Sequence, residues 1–271
     1  MDRDFKVVIP ARYGSTRLPG KPLLDISGKP MIQHVVECAR ASRASEVVVA
    51  TDDQRILDVC ARLGIDAELT AVNHHSGSDR VAEVIERRGW DDDTIVVNLQ
   101  GDEPCMPSAL IDQVASNLAA LEGVGMATLA HPIADSATLF DPHVVKVVIS
   151  TVGFALYFSR APIPWHRDEF LGNKASLPKS VDFLRHIGLY AYRAAFLKRF
   201  VTLEPSPLEI AESLEQLRAL WHGTPIHVGL ATETPGPGVD TPDDLARVVR
   251  FLAKDGREAA HLVGKMRCVV S

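Results

Sequence analysis

Three cations stand within ten residues near the start of this 271-residue chain. In PARYGSTRLPGKPL, residues 10–23, Arg12, Arg17 and Lys21 are spaced among Gly14, Pro19 and Gly20. Glycine lets backbone N–H groups approach an oxyanion, and Arg and Lys neutralise phosphates whose charge would repel an incoming nucleophile. The run fits neither a Walker A loop nor the glycine fingerprint of dinucleotide-binding folds, so the usual ATPase and dehydrogenase readings lose support. A solvated turn with surface cations is the alternative these spacings leave open.

Two acidic residues follow apolar runs. Asp102 lies in QGDEP after TIVVNLQ, and Asp240 lies in GPGVDTPDDL. Each is either a helix cap (near Pro107 for Asp102, near Thr241 for Asp240) or an oxygen ligand for a hard cation. Asp52, at the end of another apolar run, is an N-cap or a nucleotide contact. His74 and His75 precede Ser76, Gly77 and Arg80 in HHSGSDR and read as solvated loop residues. Further on, Arg160 and Arg167 have the bidentate geometry that suits a carboxylate. His186, Gly188, Tyr190 and Tyr192 share one face if RHIGLYAY is a strand, with Tyr192 read as core. Glu215 and Gln216 are ordinary helix-surface residues on sequence alone. Trp165 is read as a packing anchor and Trp221 as a core or interface residue.

Something must hold these groups. FKVVIP, EVVVAT and TIVVNLQ are strand-like runs, separated by the helical periods of PMIQHVVECARAS, DDQRILDVCARLG and SGSDRVAEVIERRG. That alternation predicts an α/β fold with a Rossmann-like, mostly parallel sheet flanked by helices, whose ligands sit at the carboxyl ends of strands. The segments after Pro10, Thr51 and Leu99 fall there. After residue 125 short strands with short connections predict a smaller antiparallel and insertion region, and residues 160–181, with three prolines, read as an irregular flap. SPLEIAESLEQLRALWHG is a capped helix or helix pair, and Thr241 and Pro242 open a last helix. We expect residues 1–125 and 225–255 to form the nucleotide-binding core, 126–224 the acceptor and dimerisation region, and 256–271 a tail.

Composition narrows the partners. With 29 Lys+Arg against 35 Asp+Glu the net charge is −6, which disfavours nucleic acid held on a broad basic face. No stretch approaches the ~20 apolar residues of a membrane span, and MDRDFKVVIPAR has no secretory pattern. Cys38, Cys60, Cys105 and Cys268 lack CxxC spacing, so reduced thiols in the cytoplasm are expected rather than zinc or disulfides.

PARYGSTRLPGKPL, QGDEP and GVDTPDDL, with ATDD, HHSGSDR, VGMATLA, VKVV, ALYFSRAPIPW, FLRHIGLYAY, SPLE and LEQLRALWHG in that order, resemble the 3-deoxy-manno-octulosonate (Kdo) cytidylyltransferases across residues 5–250. These enzymes have the nucleotide-diphosphosugar transferase fold. The resemblance implies a Mg²⁺-dependent enzyme that joins CTP to Kdo, giving CMP-Kdo and diphosphate for lipopolysaccharide synthesis. It implies that Arg12, Arg17, Lys21, Ser76 and Arg80 hold CTP, that Asp102 and Asp240 hold the metal, and that Arg12, Lys21 and both aspartates are catalytic. It further implies that Gln100, Arg160, Arg167, His186, Tyr190, Glu215 and Gln216 hold Kdo, and that the protein is a homodimer. Two departures stand out. Ser78 and Asp79 replace the family's usual Thr and Glu, Asp being a methylene shorter, and His166 replaces an Asp beside Arg167. An 8-amino Kdo variant or a sialic acid is the rival acceptor, and a catalytically silent nucleotide-binding protein the rival class.

Overall fold

The structure, a computed structural model, describes residues 4–14, 18–172 and 176–253. Arg17, Cys268 and the 256–271 tail lie outside the described residues.

The first half alternates as its periodicity requires. Its elements are β1 (Phe5–Ala11), a 3-10 turn (Lys21–Leu23), β2 (Asp25–Ile26), β3 (Lys29–Pro30), α1 (Met31–Arg40), β4 (Glu46–Thr51), α2 (Gln54–Arg62), β5 (Ala67–Leu69), α3 (Gly77–Arg88), β6 (Ile95–Asn98) and α4 (Ser108–Ala119). The second half contributes β7 (Met126–Pro132), α5 (Ser136–Phe140), β8 (Lys146–Ile149), β9 (Ala155–Ser159), α6 (Glu169–Gly172), β10 (Leu184–Arg193), α7 (Ala194–Phe200), α8 (Pro207–Glu212), α9 (Gln216–Trp221) and β11 (Ile226–Leu230). A last helix begins at residue 242.

One sheet runs through both halves in the order β11-β7-β10-β6-β1-β4-β5. Every pairing on this path is parallel except those of β10, which is antiparallel to β6 and β7. β8 branches from β10 and carries β9, the antiparallel extension expected from the second half. The 126–224 segment therefore puts all four of its strands into the same nine-stranded sheet as the strands of the first half.

Both faces are covered, as a mostly parallel sheet requires. Val7, Ile9, Val97, Leu129 and Ile187 pack beneath helices α1 and α4 on one face. Val8, Val48, Val96, Tyr192, Phe196 and Leu217 pack on the other, toward α3, α7 and α9. A satellite cluster of Ile26, Met31, Cys105, Val239 and Val248 ties the β2–β3 hairpin to the last helix. The irregular 160–181 stretch has its own small core, in which Phe170 packs with Ile133, Leu139 and Phe183. Cys38, Cys60 and Cys105 are free thiols.

Candidate active site

The cationic turn forms because two close approaches exclude larger residues. Gly20 has φ +69°, and a Cβ there would meet the Tyr13 ring at 3.1 Å. Its N–H donates to the Tyr13 carbonyl at 3.0 Å, folding the loop back so that Lys21 opens the 3-10 turn. At the end of β6, Gly101 lies so near β1 that a Cβ would sit 2.8 Å from the Pro10 carbonyl oxygen. The two strand ends thus meet, and Lys21 faces Asp102.

The segment before the last helix brings in the second carboxylate. Val239, 2% exposed in the satellite cluster, donates its N–H to the Asp102 carbonyl at 2.9 Å, and Gly236 donates to the Cys105 carbonyl at 3.3 Å. Residues 236–239 therefore run beside 102–105. The Lys21 ammonium donates to Asp102 Oδ2 at 2.7 Å, to the Val239 carbonyl at 2.7 Å and to Asp240 Oδ1 at 3.2 Å. Two aspartates 138 positions apart in the chain converge on one cation. Neither serves as the helix cap that sequence left open. The cap of α4 is Pro107, without a side-chain bond, and the last helix is capped by Thr241, whose hydroxyl accepts from the Asp244 N–H at 3.2 Å.

A cavity of about 280 Å³ opens beside this cluster, lined by residues that include Arg12, Lys21, Ser76, Gly77, Arg80, Gln100, Asp102 and Asp240. Arg12 is exposed at its rim. Arg80 is buried, and its guanidinium is spent on Asp52 at 2.8 Å, on the Ala71 carbonyl at 3.2 Å and on Thr70. It braces the loop behind the cavity. The cap of α2 is Asp53, accepting from the Arg55 N–H at 2.9 Å, so Asp52 is Arg80's partner rather than an N-cap. Ser76 caps α3 in a reciprocal box with Asp79, so the shortened acid has a definite role in fixing the helix start. His74 is not a solvated loop residue: its Nε2 lies 2.5 Å from Glu83 Oε2. Glu103, which sequence reasoning passed over, has its carboxyl pushed up to about 8 by burial and by the nearby Asp102 and Asp240.

Four of the residues expected to hold the acceptor, His186, Tyr190, Glu215 and Gln216, lie on β10 and at the start of α9. β10 slips by two residues against β7 between Ile187 and Tyr190, an even shift that leaves side-chain faces unchanged. His186, Tyr190 and Tyr192 consequently share a face, with ring centroids 5.3 and 5.8 Å apart along the series. Thr128 stabilises the slip from β7, its hydroxyl 2.8 Å from the Leu189 carbonyl and 2.9 Å from His186 Nε2. Burial pushes the His186 imidazole down to about 3 and the Tyr190 phenol well above its ordinary value. Both are neutral. Tyr192 is core, as expected.

Glu215 and Gln216 are not helix-surface residues. Gln216 is 4% exposed, and its Nε2 is buried without a hydrogen-bond partner, as is Glu215 Oε1. Burial raises the Glu215 carboxyl, while hydrogen bonds from Ser78 and Ser76 act in the opposite direction. Gln100 donates to Asn98 at 3.0 Å.

Arg160 is clamped from several sides. Its N–H donates to Glu212 Oε2 at 2.9 Å, its Nε to the Glu212 carbonyl at 2.7 Å and its Nη1 to the Pro142 carbonyl at 3.1 Å, while its own carbonyl accepts from the buried Lys146 ammonium at 2.5 Å. A lysine inside the apolar run VVKVVIS was the sequence signal for that clamp. Arg167 is exposed on the flap. Trp165 packs edge-on to Phe170 at 5.2 Å, the anchoring expected of it, whereas Trp221 is 54% exposed and is not core.

Comparison with known proteins decides the family. The profile of the cytidylyltransferase family matches residues 6–226. A 3-deoxy-manno-octulosonate cytidylyltransferase of Pseudomonas fluorescens strain Pf-5 is 60% identical over 93% of this chain and 99% of its own. The chain belongs to the 3-deoxy-manno-octulosonate cytidylyltransferase family. A second family member, from Hahella chejuensis, is 57% identical over 92% of this chain and 98% of its own. A solved structure described as CMP:2-keto-3-deoxy-manno-octonic acid synthetase complexed with CTP superposes with a TM-score of 0.85 at 42% identity, covering 93% of this chain and 100% of that one. Fold and family thus agree with the α/β reading and with the resemblance seen in the motifs.

Proposed function

We propose that this chain transfers the cytidylyl group of CTP to the anomeric hydroxyl of Kdo, forming CMP-Kdo and diphosphate in the cytoplasm for lipopolysaccharide synthesis. The observation that carries the proposal is the meeting of Asp102 and Asp240 on Lys21 beside Arg12, at the mouth of a cavity. It is supported by close relatives of that activity and by a neighbour solved with CTP.

The donor set fits Mg²⁺: two carboxylates on neighbouring backbones leave most positions of an octahedral ion to substrate oxygens and water, its usual arrangement with phosphates. Asp102 and Asp240 would hold it. When bound, the ion supplies neutralisation of the phosphate charge and in-line alignment. Lys21, paired with both aspartates, would turn to the phosphates, and Arg12 and Arg17 would complete the anion-binding side. Ser76 and Gly77, at the start of α3, border the nucleotide, with Arg80 bracing them. The neutral imidazole of His186, the phenol of Tyr190, and Gln100, Glu215 and Gln216 receive the sugar hydroxyls. Arg160 and Arg167 face its carboxylate. Residues 126–224 form this acceptor side, and exposed Val152, Leu156 and Leu171 support a homodimer through the same region, readable by light scattering.

The test is diphosphate release from CTP and Mg²⁺ with Kdo, its 8-amino variant and a sialic acid assayed side by side. Kdo is expected to give the highest kcat/KM. Equal or better turnover of a rival displaces Kdo as the acceptor, and no release with any sugar makes the chain a silent nucleotide binder.

A further inference from the structure

Ser78 lies in the second position of α3, is 2% exposed, and does not line the nucleotide cavity, although Ser76 and Gly77 beside it do. Its hydroxyl crosses 137 positions of sequence to donate to Glu215 Oε2 at 2.8 Å. That bond occupies one oxygen of a buried carboxylate. The other, Oε1, is buried with no hydrogen-bond partner; the Arg218 guanidinium is 3.9 Å away and is itself held by Glu209 at 2.6 and 2.9 Å. A buried polar atom without a partner is costly unless something else completes it. The adjacent Gln216 Nε2 is in the same condition. The same helix start also lies close to Gln100, since a Cβ on Gly77 would sit 3.6 Å from Gln100 Oε1. Tyr192 is within hydrogen-bonding reach of both Ser78 and Asn98.

We infer that Ser78 is a positioning residue for the acceptor: by engaging Oε2 of Glu215 it aims Oε1 at a sugar hydroxyl, and it ties that carboxylate to the helix whose first residues border the nucleotide. The inference rests on the function proposed above. A hydroxyl is required at this position, but not a particular side chain. A methyl would leave Ser76 as the remaining hydroxyl on Glu215, so the carboxylate would turn or take up a proton more readily and meet the sugar in the wrong state or direction.

The test uses the full chain with Mg²⁺, CTP and Kdo, comparing Ser78→Ala, Ser78→Thr, Glu215→Gln and the double variant Ser78→Ala with Glu215→Gln. Loss of one charge-assisted bond is expected to raise the KM for Kdo roughly tenfold in Ser78→Ala, with the KM for CTP changed less than about twofold. Ser78→Thr keeps the hydroxyl and is expected to restore the Kdo KM. In the Glu215→Gln background, Ser78→Ala is expected to add little, because the two side chains act as one unit. An unchanged Kdo KM in Ser78→Ala, fully additive effects, or an equal rise in both KM values that Ser78→Thr does not reverse would each overturn the inference. A wild-type chain that turns over CTP and Kdo while Ser78→Ala behaves identically sinks this inference alone. A wild-type chain inert toward both substrates sinks the proposed function with it.

Discussion

The two ends of the proposed active site, one for phosphate and one for the acceptor, are built on opposite electrostatic terms. At the phosphate end the groups are charged and partly solvated: the side chains of Lys21, Asp102 and Asp240 are 13%, 34% and 57% exposed, and they neutralise one another across 2.7 and 3.2 Å. On the acceptor wall the groups are buried and largely neutral, and two of them keep a polar atom without a partner. The first end tolerates having no substrate because its charges satisfy each other and water reaches them. The second is arranged in advance and completed only by a ligand that brings hydroxyls. Affinity at the first should fall with salt, and selectivity should reside in the second.

Breaking the charged end should have the larger effect. Asp102→Asn removes a carboxylate from the pair that meets on Lys21 and is expected to lower kcat by about a thousandfold, while titration with CTP still shows binding. Full activity in that variant would remove Asp102 from the chemistry and leave the acceptor wall as the only defined part of the site.

A pH experiment probes the neutral wall. His186 titrates at about 3 in the folded protein, against roughly 6.5 in an unfolded chain. Above pH 6.5 both states leave it neutral, and its full contribution to stability is present. As pH falls from about 6.5 toward 3 the unfolded chain gains a proton that the folded chain refuses, so stability declines, by on the order of 3 kcal/mol at pH 4. Urea unfolding of the wild type and of His186→Gln at pH 7 and pH 4 checks this. The variant should lack that part of the decline, and identical pH slopes would mean that the imidazole is far more accessible than its surroundings imply.

The smallest effect sharpens the border between scaffold and site. Arg160 spends Nε and Nη1 on the carbonyls of Glu212 and Pro142. Arg160→Lys should therefore cost about 1–2 kcal/mol of stability, seen as a lowered Tm, besides any change in Kdo KM. An unchanged Tm with a raised KM would assign Arg160 wholly to the sugar.

Much of this was legible because some signals are local. The cationic turn after β1, the Thr241 cap and the strand–helix alternation each depend on residues a few positions apart. Other readings failed because the relevant partner is remote. Glu215 and Gln216 have the pattern of a helix surface, and only the packing of α9 against the face bearing Tyr192 buries them. His74, in the loop before α3, looked solvated until Glu83, about two turns into that helix, reached it. Asp52 looked like a cap because its neighbour Asp53 is one, and the cation that claims it lies 28 positions away.

Residue types and short spacings marked where chemistry was to be expected: a cationic turn after the first strand, two carboxylates after apolar runs, and strands ending where ligands collect. They act through backbone geometry and charge over a few residues, which the linear order already contains. What the tertiary structure alone decided was which distant groups meet. Asp240 reaches Asp102 because a backbone hydrogen bond from Val239 and a small apolar cluster seat it there. Glu215 becomes a buried, half-satisfied carboxylate because Ser78 on another helix takes one of its oxygens. Desolvation and long-range contact are properties of the folded chain, and no local pattern encodes them.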